Sequence, residues 1–89
     1  MNKEILESVV KQLCDNKVVL EKIDGHKIKS ITIDQDYDKE GNLVVGISFQ
    51  YFNEVLSNSF ALVKFVENMA NEEYLWFRYS PKGFFVYFK

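Results

Sequence analysis

The 89-residue chain holds one cysteine, one histidine, one proline, one tryptophan and four glycines, and each shortage removes a class of protein. A lone thiol, Cys14, cannot form an internal disulfide. Cys14 and His26 together are too few to build a zinc site, which takes several such ligands. Nucleophilic catalysis needs a nucleophile beside a base that a third group orients. His26 stands beside a turn among Lys22, Lys27 and Lys29 and is expected to be exposed and structural. Glycines at 25, 41, 46 and 83 are too scattered for a phosphate-cradling loop. Gly46-Ile-Ser48 lacks the second glycine of a nucleophile elbow. An enzyme is therefore not expected, and no cofactor or metal is.

Charge of one sign is also missing. Eleven basic residues face thirteen acidic ones, for a net charge of -2 and a pI near 5.3. A general nucleic-acid or membrane-surface binder would carry a basic excess, so neither partner is expected. The first residues, Met1-Asn-Lys-Glu-Ile-Leu-Glu-Ser, lack the apolar core of a signal peptide. No apolar run is long enough to span a bilayer, and a cytoplasmic location is the expectation. Without repeats, low-complexity tracts or a linker, residues 1–89 are expected to form a single compact domain.

What is plentiful is aromatic side chain. One Trp, five Tyr and eight Phe make fourteen rings, and eight of them lie in the last sixteen residues, from Tyr74 to Lys89. Buried rings each remove roughly 150–250 Å² from water, which helps a chain of this size build a core.

Taken in order, residues 3–14 place Ile5, Leu6, Val9, Val10, Leu13 and Cys14 on one helical stripe. Asn2 caps its start, Asp15-Asn16 offers a left-handed stop, and Cys14 is expected in the core. Lys17–Ile23 reads as a β-branched strand turned by Asp24-Gly25. The next hairpin is better determined. Asp38-Lys-Glu-Gly41 suits a type I turn with a left-handed glycine bulge, which opposes Asp38 to Asn42. That register pairs Tyr37 with Leu43, Gln35 with Val45, Ile33 with Ile47 and Ile31 with Phe49 on one side. The other side collects Asp36 with Val44, Asp34 with Gly46, Thr32 with Ser48 and Ser30 with Gln50. A one-residue slip would scramble this separation. Asn53–Asn71 reads as a second helix, opened by Asn53 or, after a bend, by Ser57 or Asn58.

The predicted order is α-β-β-β-α-β-β: an α+β domain with a mostly antiparallel five-stranded sheet and two helices on one face. Its first five elements resemble, in order, a double-stranded-RNA-binding domain. Where that family has a lysine cluster at the second helix, this chain has Glu54 and no lysine before Lys64. Small phage-encoded anti-CRISPR proteins are similar in length and in α-β-β-β-α order.

Asp34-Gln-Asp36-Tyr-Asp38-Lys-Glu40-Gly resembles a calcium loop in spacing. However, Lys39 stands where such a loop needs glycine, and Val45 where it needs glutamate. As strand residues the aspartates share a face at about 6.6 Å spacing, too wide for one ion. They are read as an acidic stripe able to meet a basic groove.

For the final hairpin, a bulged turn at Ser80–Gly83 puts Tyr74, Trp76, Arg78, Ser80, Phe84, Val86 and Phe88 on one face. Leu75, Phe77, Tyr79, Phe85, Tyr87 and Lys89 then take the other. Trp, Tyr and Arg are enriched at binding hot spots, and Arg78 resists unpaired burial, so the Trp76 face is expected to point outward. The expected function is a small non-enzymatic protein-binding module, an inhibitor or accessory factor that blocks a larger partner. Phage anti-defence and immunity proteins are the analogy. Its partner-binding residues would be Tyr74, Trp76, Arg78, Phe84, Phe88, Asp34, Asp36 and Asp38. The alternatives are single-stranded nucleic-acid binding on the aromatic sheet face and a structural homodimer paired through the terminal hairpins.

Overall fold

Helix α1 spans Lys3–Asp15, and Asn2 caps it by accepting a 2.9 Å bond from the Ile5 N–H. Its buried stripe is Leu6, Val9 and Leu13, narrower than the apolar spacing suggests. Ile5 is 48% exposed. Cys14 is also exposed rather than a core residue, and its Sγ rests 3.8 Å from the Ile31 carbonyl oxygen. The computed structural model describes residues 2–55 and 60–88.

The segment predicted as the first strand is a helix, α2, over Lys17–Asp24. Asn16 keeps a negative φ of -109° and so does not stop the chain. Its N–H and side-chain amide both bond the Gln12 carbonyl, and α2 starts one residue later. Gly25, at φ 81°, is the left-handed C-cap of α2, bonding the Glu21 carbonyl, and not a hairpin turn. Only the helical period sends Leu20 inward while leaving Val18 and Val19 in water. Glu21 ties the helix to the following strand by accepting a 2.7 Å bond from the Ile28 N–H.

Strands β1 (Ile28–Tyr37) and β2 (Leu43–Tyr51) pair in the register read from the sequence, from Tyr37–Leu43 to Ser30–Gln50. Asp38 donates its N–H to the Asn42 carbonyl, and Gly41 takes φ 80°. Residues 53–55 are not helical, so Asn53 does not cap a helix. The other expected starts, Ser57 and Asn58, lie outside the described residues. Helix α3 is described from Phe60 to Ala70 and ends at Asn71, whose φ is 54°.

Strands β3 (Trp76–Ser80) and β4 (Gly83–Phe88) close the chain. Their loop is two residues, Pro81-Lys82, so Ser80 faces Gly83 and every later pair moves by one. Trp76 opposes Tyr87, Arg78 opposes Phe85, and Tyr79 opposes Phe84. The reason lies in β2. The alternation Phe84, Val86, Phe88 fits against Phe49, Ile47 and Val45, and a bulged register would have left Arg78 on that same apolar side.

Four strands in the order β1-β2-β4-β3 thus form one antiparallel sheet. The chain is α+β, with three described helices and four described strands in place of two and five. The order α-α-β-β-α-β-β removes the likeness to a double-stranded-RNA-binding domain. Leu6, Val9 and Leu13 of α1, Leu20 of α2, and Leu62, Val63 and Val66 of α3 join one sheet face in a single cluster. That face contributes Ile31, Ile47, Phe49, Phe84, Val86 and Phe88. Among the described residues, no helix lies on the opposite face.

Candidate functional site

The helix-free face is laid out by strand pairing. One row across the sheet reads Asp34, Gly46, Tyr87, Trp76, and the next reads Thr32, Ser48, Phe85, Arg78. Asp36 lies one step further along β1, opposite Val44.

Tyr87 holds this surface together. It sits on the helix-free face yet has no exposed surface, because its ring lies down over β2 instead of standing out. Gly46 makes that possible: a Cβ there would come within 2.7 Å of Tyr87 Cδ1. The flattened ring carries the hydroxyl across β2 to β1, where it donates a 2.7 Å hydrogen bond to Asp34 Oδ2. Arg78 donates to the same hydroxyl at 3.2 Å. Burial first, and then the bond to Asp34, push the Tyr87 phenol above its ordinary value.

Arg78 is held on three sides. Its guanidinium carbon stands 4.7 Å from the Phe85 ring centre and 5.7 Å from that of Tyr87. Its Nη1 lies 3.6 Å from Asp36 Oδ2. More than half of the Arg78 side chain is exposed, so the ion pair contributes at most about 1 kcal/mol. Its consequence is geometric, a guanidinium fixed in place before any partner arrives. Trp76 packs against Tyr87 with ring centres 5.1 Å apart. It also walls a groove of about 380 Å³, whose other sides are Leu75 and the β1–β2 turn residues Asp38, Lys39, Glu40 and Asn42.

No protein-family model, curated protein or solved structure matches the chain.

Of the eight candidate residues, the structure brings four together on the helix-free face: Asp34, Asp36, Trp76 and Arg78. Phe84 and Phe88 are instead fully buried beneath the helices, as the corrected register requires. Tyr74 precedes β3 and packs edge-on against Phe77 and Phe60, at 5.2 and 6.3 Å. Its N–H donates a 2.9 Å bond to Glu67 Oε2, so its contacts are structural. Asp38 belongs to the turn, where its Oδ1 accepts from the Glu40 and Asn42 N–H groups. Those bonds, the one from Asn42 foremost, hold its carboxyl below the usual range.

Sequence reasoning missed Tyr87 and Phe85. The available signal was Arg78 itself, since one strand pairing cannot set an arginine and the run Phe84, Val86, Phe88 on a single buried face. Among the described residues no cluster of His, Cys, Asp and Glu is arranged to hold a metal ion. No described helix is long and apolar enough to cross a membrane.

Proposed function

We propose that this chain is a small non-enzymatic protein-binding module that docks through its helix-free sheet face, as an inhibitor or accessory factor of a larger partner. The observation that carries this reading is the group formed by Trp76, Arg78 and Phe85, held from beneath by the buried Tyr87. Aromatic rings and a positioned guanidinium share a sheet face that no element of the described chain covers. Tryptophan, tyrosine and arginine dominate binding hot spots, because large rigid side chains lose little freedom on docking. A face ordered by internal bonds spends less binding energy on becoming ordered. A cytoplasmic setting goes with this proposal, in keeping with the exposed, unpaired thiol of Cys14.

The test compares the natural chain with a Trp76→Ala, Arg78→Ala double variant. Proteins captured from the native host are identified by mass spectrometry, and the interaction is rebuilt from purified components. Loss of binding in a variant with an unchanged circular dichroism spectrum supports the reading. Undiminished binding in a folded variant overturns it.

A further inference from the structure

We infer that the partner presents an arginine or lysine side chain to the groove between Trp76 and the β1–β2 turn. This inference rests on the protein-docking reading and specifies the chemistry of the partner.

Two observations support it. The first is charge. Among the described residues, the end of the helix-free face beside the β1–β2 turn carries the carboxylates of Asp34, Asp36, Asp38 and Glu40 against Lys39 and Arg78. Arg78 is already engaged by Asp36 and Tyr87. Glu40 is exposed, and among the described residues its carboxylate makes a long 3.5 Å contact with the Asn42 amide. Both backbone bonds to Asp38 fall on its Oδ1, and they favour its charged form. The described charges that line the groove, Asp38, Lys39 and Glu40, therefore favour a cation over a phosphate.

The second observation is that the protein already makes this kind of contact within itself. Arg78 stacks over an aromatic ring with a carboxylate at its edge: Phe85 at 4.7 Å and Asp36 at 3.6 Å. The groove offers the same residue types, with Trp76, Glu40 and Asp38 among its lining. Tryptophan is the strongest of the aromatic partners for a cation. A volume of about 380 Å³ admits one long side chain, whose methylenes would run along Leu75, a residue 41% exposed. A single-stranded nucleic acid would also find rings here, but it would bring phosphates to a surface with an excess of carboxylates.

Trp76 is the chain's one tryptophan, so intrinsic fluorescence reports on the groove directly. The full chain is titrated at low ionic strength with an oligoarginine peptide, an oligoglutamate peptide and single-stranded oligothymidylate. The expected result is a saturable spectral shift with oligoarginine alone. It should weaken roughly tenfold in Glu40→Lys and fall steeply with added salt. An equal or larger response to oligoglutamate or oligothymidylate overturns the inference, as does a Glu40→Lys variant that responds like the natural chain. The two proposals fail separately. If the partner binds Glu40→Lys normally but not the Trp76/Arg78 double variant, docking stands and the basic side chain is wrong. If the double variant also binds normally, the docking reading itself falls.

Discussion

Tyr87 Oη donates a 2.7 Å hydrogen bond to Asp34 Oδ2, joining residues 53 positions apart across the whole width of β2. The bond exists because Gly46, between them in the same row, offers no side chain to lift the ring. Three residues from three strands thus form one device that flattens a tyrosine, orders an arginine and leaves a tryptophan at the edge of a groove.

Removing the hydroxyl isolates the bond. Tyr87→Phe keeps the ring and deletes a part-buried, charge-assisted hydrogen bond, expected to cost about 1.5 kcal/mol, the lower end for bonds to charged groups. Urea denaturation should show that loss, with the slope of the transition unchanged. A double-mutant cycle with Asp34→Asn should give a coupling of at least about 0.5 kcal/mol, as contacting residues do. Additive losses would mean that the two side chains do not interact in solution.

Gly46→Ala tests the space beneath the ring. The added methyl collides with backbone as well as with Tyr87, so rotating one side chain does not relieve it. A loss at the upper end of the usual overpacking range of about 1–3 kcal/mol is expected. Thermal unfolding should register it as a fall of several degrees for a chain of this size. A melting temperature equal to that of the natural chain would contradict the described position of Tyr87.

The two-residue turn of the last hairpin separates Trp76 and Phe84, which a bulged turn would put on the same face. Phe84 has no exposed surface and stacks on Phe49 and Tyr79, with ring centres 5.3 and 5.0 Å away. Phe84→Ala should cost about 3–5 kcal/mol, a large share of the roughly 4–13 kcal/mol expected for a chain of this length. Trp76→Ala, on the helix-free face, should cost only about 1–2 kcal/mol and leave a cooperative transition. The reverse ranking in parallel denaturation curves would reinstate the bulged hairpin.

That contrast marks where the sequence was legible. The β1–β2 hairpin could be read pair by pair because its two sides differ in polarity and because Asp38 and Gly41 suit one turn. The β3–β4 hairpin could not, since rings occupy both of its faces and polarity no longer selects a register. There the decision falls to β2, whose Phe49, Ile47 and Val45 already define the inward side. Helix α2 was hidden for another reason. Val18 and Val19 favour strands locally, and Gly25 serves equally well as a hairpin turn or a helix cap. Burial of Leu20 decides between them, and that is a tertiary effect. Asp34, Asp36, Trp76 and Arg78 were singled out from their chemistry and their strand faces, but that they share one sheet face depends on the order β1-β2-β4-β3. Tyr87 was missed because its position depends on the absent side chain of another strand's glycine.

The last prediction concerns pH and Asp24, the final residue of α2. Its side chain is buried, and its Oδ2 and the buried Tyr51 hydroxyl find no hydrogen-bond partner among the described residues. The two groups lie near enough to influence each other's ionisation. Burial raises the Asp24 carboxyl above its ordinary value, partly offset by Tyr51 and His26, while the phenol is pushed up by its own burial and by Asp24. A carboxyl with a raised folded-state pKa binds protons more tightly in the folded chain than in the unfolded one. Its penalty is therefore absent below the unfolded value near ~3.9, grows as pH rises, and is complete above the folded value. Asp38 and Glu67 act in the opposite sense. Backbone N–H bonds, from Asn42 and Tyr74 respectively, lower their carboxyls, so their contribution is present near neutrality and is lost on acidification. Asp24→Asn removes the charge and keeps the shape, and it should stabilise the chain at neutral pH by about 1 kcal/mol. The gain should shrink as pH falls toward ~4. Denaturation midpoints of both chains across that interval decide the matter: a gain that does not depend on pH would show that the Asp24 charge is not its source.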